Sequence, residues 1–421
     1  MMMTTFLVLT IICLLIPPYV YLGYPLILWL LNKAGFRRLH SCSEITPRVT
    51  LIISCYNEAK ILRQKLHNSL ELDYPVEKLF VVVVSDGSDD GSDDIAREFI
   101  GLQVRLVRQE GRLGKTMGLN LALKDLDTDI VVFSDANAMY ERQAIRNLVK
   151  HFADPEVGYV VGAALYTDGK NNAAAANEDL YWHYEMTIKK WESQLHSVVG
   201  GDGAIYAIRR ELWEPLQQRD INDFVNPLQL VAKGYRGVFE PEARCFEETA
   251  GNFSKEAKRK ERIVNRSLRG LFRVKAVMNP LRSGIFSYMV ISHKLLRWLI
   301  PLFAVLTFPG ALVLASQSVL LGQILMLGAL LLLIPSFIGY LGQNYPRLPW
   351  VFSFPYYFVS VNFYALMGII SALMGRTQIT WNSSRPHTAE LNKISGISLT
   401  GGLSYLVLIV CGAAALCWPY V

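Results

Sequence analysis

Charge is absent from Thr4 to Leu31, and Lys33, Arg37 and Arg38 follow closely. A bilayer crossing needs about 20 apolar residues, so the pattern predicts a membrane-spanning helix over residues 4–32, kinked at Pro17 and Pro18. The basic flank directs its C-terminal end to the cytosol. The length of the run, with no basic residues ahead of it, argues against a cleaved signal peptide. From Arg48 the pattern changes to short apolar runs that stop in polar clusters. Val49–Ser54 runs into Cys55-Tyr56-Asn57-Glu58, and Leu79–Val84 into Ser85-Asp86-Gly87-Ser88. Val104–Val107 is a third run, and Ile130–Phe133 ends in Ser134-Asp135-Ala136-Asn137. Helical periodicity lies between them over Glu58–Leu70, Asp93–Ile100 and Thr116–Leu123. Strands alternating with helices predict a parallel α/β sheet, whose ligands sit at the carboxyl ends of the strands.

Beyond this region, Lys255–Lys275 reads as a basic helix with nine Lys or Arg against two Glu. His293, Lys294 and Arg297 then lead into four apolar segments, Leu299–Ser316, Val319–Leu341, Phe354–Leu373 and Leu403–Val421. A polar loop, 375–398, separates the last two. The chain thus divides into a spanning helix (4–32), a soluble α/β domain (48–250), basic interfacial helices (251–297) and an apolar C-terminal region (298–421). Counting crossings raises a conflict. If every segment crosses, Trp381 emerges outside, against the positive charge of Arg376, Arg385 and Lys393. Pro301, Pro309 and Gly310 make Leu299–Ser316 the candidate for an incomplete crossing.

Composition agrees with this division: hydrophobic residues are 52% of the 421, and the net charge is +6. Much of the basic excess flanks apolar segments, which fits lipid headgroups better than nucleic acid, and no aromatic platform interleaves the 255–275 run. The six cysteines are scattered and include no CxxC pair, which argues against a disulfide framework and against zinc.

The polar clusters at the strand ends carry the candidate chemistry. A carboxylate such as Asp86 can hydrogen-bond a base or ribose, and Asp135 with Asn137 offers hard oxygen ligands for Mg²⁺ or Mn²⁺. Taken singly, each aspartate reads equally as a turn residue or helix cap. Gly114-Lys115-Thr116 is not a P-loop, because the motif needs glycine at 109 and Gln109 stands there. Lys115 at a helix N-terminus is nonetheless placed to meet phosphate; the alternative is an ordinary surface lysine.

Taken in order, Tyr56-Asn57-Glu58, Ser85-Asp86-Gly87-Ser88, Gly111-Arg112-Leu113-Gly114-Lys115 with Asn120, and Ser134-Asp135-Ala136-Asn137 resemble the motifs of family-2 glycosyltransferases. Gly200-Gly201-Asp202-Gly203-Ala204, Ile221-Asn222-Asp223-Phe224 and Glu240-Pro241-Glu242-Ala243 continue the likeness, which covers about residues 48–275. The apolar ends resemble the membrane-integrated branch that includes hyaluronan, cellulose and poly-N-acetylglucosamine synthases. The resemblance implies an A-type glycosyltransferase fold, a mostly parallel nucleotide-sugar-binding sheet flanked by transmembrane helices. It also implies an integral protein of a bacterial plasma membrane with its catalytic domain in the cytosol, active in exopolysaccharide or cell-envelope synthesis. The donor would be a nucleoside-diphosphate sugar, a UDP-sugar by preference, carrying a hexose or N-acetylhexosamine. Tyr56, Asn57, Glu58, Asp86, Lys115, Asp135 and Arg266 would bind it, with a divalent cation on Asp135 and Asn137. Gly201, Asp202, Gly203 and Asn222 would face the acceptor, and Asp223 would be the general base of a single inverting displacement. The alternative for Asp223 is a helix N-cap.

Three departures qualify the likeness. The metal motif ends in Asn137 rather than Asp, and Asn222 precedes Asp223 where the family carries Glu. The Gln-x-x-Arg-Trp element of processive synthases reads Ile263-Val264-Asn265-Arg266-Ser267, which keeps Arg266 without Gln or Trp. Trp381-Asn382-Ser383-Ser384-Arg385 resembles the gating loop of those synthases, or equally an interfacial Trp with a snorkelling Arg. The acceptor is therefore either a growing glycan or a lipid-linked acceptor (polyprenyl phosphate or glycolipid) that receives one sugar. A reading of another class is a catalytically degenerate membrane scaffold.

Overall fold

The computed structural model describes residues 2–38, 40–166, 173–247, 253–343, 345, 348–376 and 399–417. Trp381, Arg385 and nearly all of the 375–398 loop lie outside them. The described residues form one sheet of strands β1 (Val49–Cys55), β2 (Leu79–Ser85), β3 (Val104–Arg108), β4 (Ile130–Asp135), β5 (Met139–Tyr140), β6 (Val157–Tyr166), β7 (Tyr206–Arg209) and β8 (Arg236–Glu247). Their order is β3-β2-β1-β4-β7-β6-β8-β5. The first four predicted strands are present and mutually parallel, and β7 adds antiparallel to β4.

Val-Thr-Leu-Ile-Ile-Ser-Cys of β1 is buried throughout, as expected of a central parallel strand covered on both faces. One face packs Leu51, Ile53, Val81 and Val83 against Leu62 and Leu66 of the helix Ala59–Leu70. The opposite face packs Ile52, Val82 and Phe133 with Leu119, Tyr206 and Phe224. Register then sets the rim: Cys55 lies beside Ser85, and Ser54 beside Asp135. The polar clusters after β1, β2 and β4 therefore meet at one edge of the sheet.

Four described helices are long and apolar enough to cross a membrane: Thr4–Lys33, Ile285–Ser316, Leu320–Leu341 and Trp350–Leu373. Gly402–Cys417 is apolar but shorter. Leu299–Ser316, singled out for an incomplete crossing, is part of a long helix with Pro301 and Pro309 inside it. The helix Trp350–Leu373 has the more telling geometry. Gly368 lies against the backbone of Glu261, and Asn265 Nδ2 donates to the carbonyls of Gly368 at 3.4 Å and Arg376 at 2.9 Å. Its C-terminal end therefore sits on the basic helix Phe253–Arg273, beside the catalytic domain, so the 375–398 loop starts on the domain's side.

The domain and the membrane helices share a core. Tyr24 and Leu28 of the first helix are fully buried with Phe286 and Val290 of the second. Glu192, also buried, accepts from Tyr24 Oη (2.5 Å) and Val199 N (3.0 Å) and pairs with His293 Nδ1 (2.6 Å). A buried carboxylate is tolerated only when it is paired and hydrogen-bonded, and here its partners come from two apolar helices and the domain.

Candidate active site

At the β1 and β2 ends the turns are stitched together. Asn57 sits in the left-handed region at φ 54°, and its side-chain amide exchanges bonds with Asp89, donating to Oδ1 at 2.7 Å and accepting from the amide at 3.0 Å. The amide of Glu58 donates to Ser92 Oγ. Asn57 and the Glu58 backbone thus shape the rim. Asp86, nearly fully buried, gathers the 109–114 loop: its Oδ1 accepts from Gln109 Nε2 (2.7 Å), Leu113 N (2.9 Å) and Gly114 N (2.8 Å). Burial raises its pKa against those bonds and the nearby Arg112. Its Oδ2 is buried with no protein partner. Gly87 (φ 71°) is obligatory here, because a Cβ would come within 2.8 Å of the Gly111 carbonyl. The Arg112 guanidinium lies 3.8 Å from the Tyr56 ring centroid, a flat cationic platform beside Asp86. In the sequence Arg112 stood only as one letter of a motif, because nothing local signals that a loop arginine stacks on a ring across the rim.

The centre of the site is Gly203. A Cβ there would lie 3.3 Å from Asp223 Oδ2, 3.4 Å from Lys115 Nζ and 3.8 Å from Asp135 Oδ2. Lys115 opens the helix Lys115–Leu123, and its ammonium bonds Asp135 Oδ1 at 2.5 Å. Burial pulls its pKa down, but Asp135, Asp223 and Glu247 outweigh this and raise it. Asp223 is in the first turn of the helix Asn222–Ala232, whose N-cap is Ile221, so it does not cap. Its Oδ1 is buried without a hydrogen bond. Burial raises its pKa, Lys115 opposes this, and Asp202 and Asp135 add to it. The close approach of Gly201 explains that glycine: its amide donates to the Asp223 carbonyl at 2.5 Å, and a Cβ would come within 2.8 Å of the same oxygen. Asp202 pairs with Lys189 at 3.5 Å. Asn222 Nδ2 donates to Tyr206 Oη at 2.8 Å, which fixes the start of the helix.

Arg266 is placed differently from the expectation of a diphosphate contact. Its described bonds run to the carbonyls of Arg219, Gln218 and Asp220 and to Thr116 Oγ1. With the Arg273–Asp220 pair at 2.6 Å, it holds the segment that leads into Asp223. Burial lowers its pKa to about 10, so it remains a cation at neutral pH. Glu247, which no motif marked, ends β8 near Asp135 and Asp202, and its pKa is pushed up to about 8 by burial and then by those carboxylates. It went unmarked because β8 reaches the rim by pairing with β5, only two residues long, and with β6, a run that carries none of the quoted motifs.

A divalent cation fits the residues at hand. Asp135 ends β4 with a partly exposed carboxylate, Asn137 follows in the turn, and Gly203 adds no side chain to the crowded space beside them. Among the described residues no three His, Cys, Asp or Glu side chains converge on a point. The chain would therefore supply few ligands, in the manner of Mg²⁺ sites completed by substrate phosphates and water.

Residues 50–215 match the family model described as Glycosyl transferase family 2. The probable glycosyltransferase YdaM of Bacillus subtilis is 28% identical over 218 residues, 48% of this chain and 51% of that protein. The poly-beta-1,6-N-acetyl-D-glucosamine synthase of Staphylococcus aureus is 25% identical over 222 residues, 49% of this chain and 52% of that protein. The match thus spans about half the length of these curated relatives. Among solved structures, the mannosyltransferase PcManGT from Pyrobaculum calidifontis, in complex with GDP-Man and Mn²⁺, superposes with a TM-score of 0.64 at 23% identity. That superposition covers 87% of this chain and 99% of the other, and it shows the shared fold. The chain accordingly carries a family-2 glycosyltransferase domain of the A-type α/β fold, between apolar helices long enough to cross a membrane.

Proposed function

We propose that this enzyme transfers a sugar from a nucleoside-diphosphate donor to an acceptor at the membrane surface, with inversion and with the help of a divalent cation. The observation that carries the reading is the meeting of Lys115, Asp135 and Asp223 around the open position at Gly203. Tyr56, Arg112 and Asp86 receive the base, with Asp86 Oδ2 as its acceptor. Lys115 faces the diphosphate, and Asp223 takes the proton of the acceptor hydroxyl as it attacks the anomeric carbon. The raised pKa of Asp223 suits a base that must accept that proton. A cation on Asp135 and Asn137 would supply charge stabilisation for the departing diphosphate. Polysaccharide synthesis is favoured by the synthase relatives, and Mn²⁺ by the shared fold with a Mn²⁺-bound mannosyltransferase. Retention of this whole constellation opposes the scaffold reading. The test is Asp135→Ala: nucleotide-sugar binding that depends on Mn²⁺ should be lost, and wild-type activity that survives chelation would refute the cation's part.

One observation favours a lipid-linked acceptor. A cavity of about 550 Å³ lies between the domain and the membrane helices, lined by Leu268, Phe272, Leu299, Leu302, Ile369 and Leu373, with Arg219, Arg269 and Arg273 also on its wall. It adjoins Asp220, three residues before Asp223. An apolar chain suits that lining.

A further inference from the structure

Lys115 does more at this site than its place at a helix N-terminus suggests. The ammonium is bonded to Asp135 Oδ1 at 2.5 Å and lies 3.4 Å from the Gly203 carbonyl oxygen. Across the open Gly203 position it faces Asp223. Three carboxylates, Asp135, Asp223 and Glu247, act on it together. Lys115 thus brings positive charge to a pocket of carboxylates, next to the Lys189–Asp202 pair, and it uses the same carboxylate that a divalent cation needs. Its side chain is only 18% exposed, whereas that of Asp135 is 40% exposed. The carboxylate remains reachable from solvent while the ammonium is enclosed. Charge-assisted bonds of this kind are roughly twice as strong as neutral ones, so the pair has to be broken before Asp135 can serve another partner in full.

We propose that Lys115 is a resident counter-ion that exchanges with the divalent cation. Without donor it neutralises Asp135 and holds the carboxylate cluster together. When the donor brings its diphosphate and the cation, Asp135 turns to the cation, and the released ammonium moves onto the diphosphate. The enzyme therefore binds divalent cation weakly alone and tightly with nucleotide, because each frees the other's ligand. This inference rests on the cation-assisted reading of the site and adds the order and cause of cation binding.

The experiment is Mn²⁺ titration of the full chain in detergent, followed by electron paramagnetic resonance of free Mn²⁺, with and without UDP or GDP. Lys115→Met, Lys115→Arg and Asp135→Ala accompany the wild type. Without nucleotide, Lys115→Met should bind Mn²⁺ about tenfold more tightly than the wild type or Lys115→Arg, as expected for removal of one competing charged bond. At saturating Mn²⁺ the same variant should bind the nucleoside diphosphate about tenfold more weakly. Lys115→Arg, which keeps the charge, controls for a folding defect, since it must match the wild type's weak Mn²⁺ binding without nucleotide. Equal or weaker Mn²⁺ binding by Lys115→Met overturns the exchange while leaving the cation reading intact. Absence of Mn²⁺ binding in every protein, with or without nucleotide, overturns both.

Discussion

At the scale of single residues, the site is governed by crowding of like charges in a small open space. Gly203 is where this is most exposed to test. Its backbone is not in the left-handed region, so Gly203→Ala should fold, but the added Cβ intrudes on Lys115 and Asp223. The reacting groups must give by a few tenths of an ångström, so turnover should fall several-fold, less than the roughly hundredfold cost of a 1 Å misplacement, with the melting temperature little changed. Glu247 gives a pH signature. Its pKa rises from 4.5 unfolded to about 8 folded, so the native state binds the extra proton and loses stability as pH climbs through that window. Glu247→Gln removes this loss. Thermal melts should find the variant more stable than wild type above pH 8 and equal to it below pH 4.5. The opposite trend would place Glu247 in a favourable ion pair. Asp223 sets a second sign: a base must be ionised, and its pKa is raised from 3.8. The acid limb of kcat/KM should therefore lie above the ordinary carboxylate range. At this scale the sequence was informative where a residue sits in a short local motif, as Asp86, Lys115, Asp135 and Asp223 do. It was silent on Glu247 and on the pairing of Arg112 with Tyr56, which exist only once distant segments meet.

At the scale of elements, local pattern and long-range pairing divide the account. The runs of β1, β2 and β4 were legible because central parallel strands are continuously apolar, and β3, at the sheet edge, as a shorter run broken by arginines; β5 and β7, two and four residues long, have too little length to show a period. On the proposed mechanism the reaction depends on the turn 218–223, which Arg266 and Arg273 bond. Arg266 was expected from the sequence to serve the diphosphate; its described bonds run to the 218–220 carbonyls and Thr116, and we propose that it also holds Asp223's segment. Arg273→Met removes one clamp from a buried carboxylate, Asp220, without touching the rim. It should lower kcat while leaving nucleotide-sugar KM near the wild-type value, and a change in KM alone would count against this division of labour. The base platform belongs to a different element pair, so Tyr56→Ala should do the reverse and raise the donor KM. Stacking of a base on an aromatic ring contributes roughly 1–3 kcal/mol.

For the whole molecule, apolar length was readable at once, but topology was not. Five apolar segments and a basic loop conflict only if every segment crosses completely, and the C-terminal end of Trp350–Leu373 rests on the basic helix beside the domain. We propose that this helix packs at the membrane face instead, which returns the 375–398 loop to the cytosolic side. Cys42, exposed between the first helix and β1, reports orientation once Cys411 and Cys417, which are also exposed, are replaced by serine. A membrane-impermeant maleimide should label it in inside-out vesicles and spare it in right-side-out ones. The central claim is sugar transfer with Asp223 as base, and its most direct measurement is nucleoside diphosphate release by purified full chain with Mn²⁺, across UDP- and GDP-sugars and with glycan and polyprenyl-phosphate acceptors. One donor–acceptor pair should support turnover, and Asp223→Asn should lose on the order of 10²–10⁴ of the rate while binding the donor as tightly as the wild type. Undiminished turnover in Asp223→Asn, or equal loss of donor binding, would contradict the account.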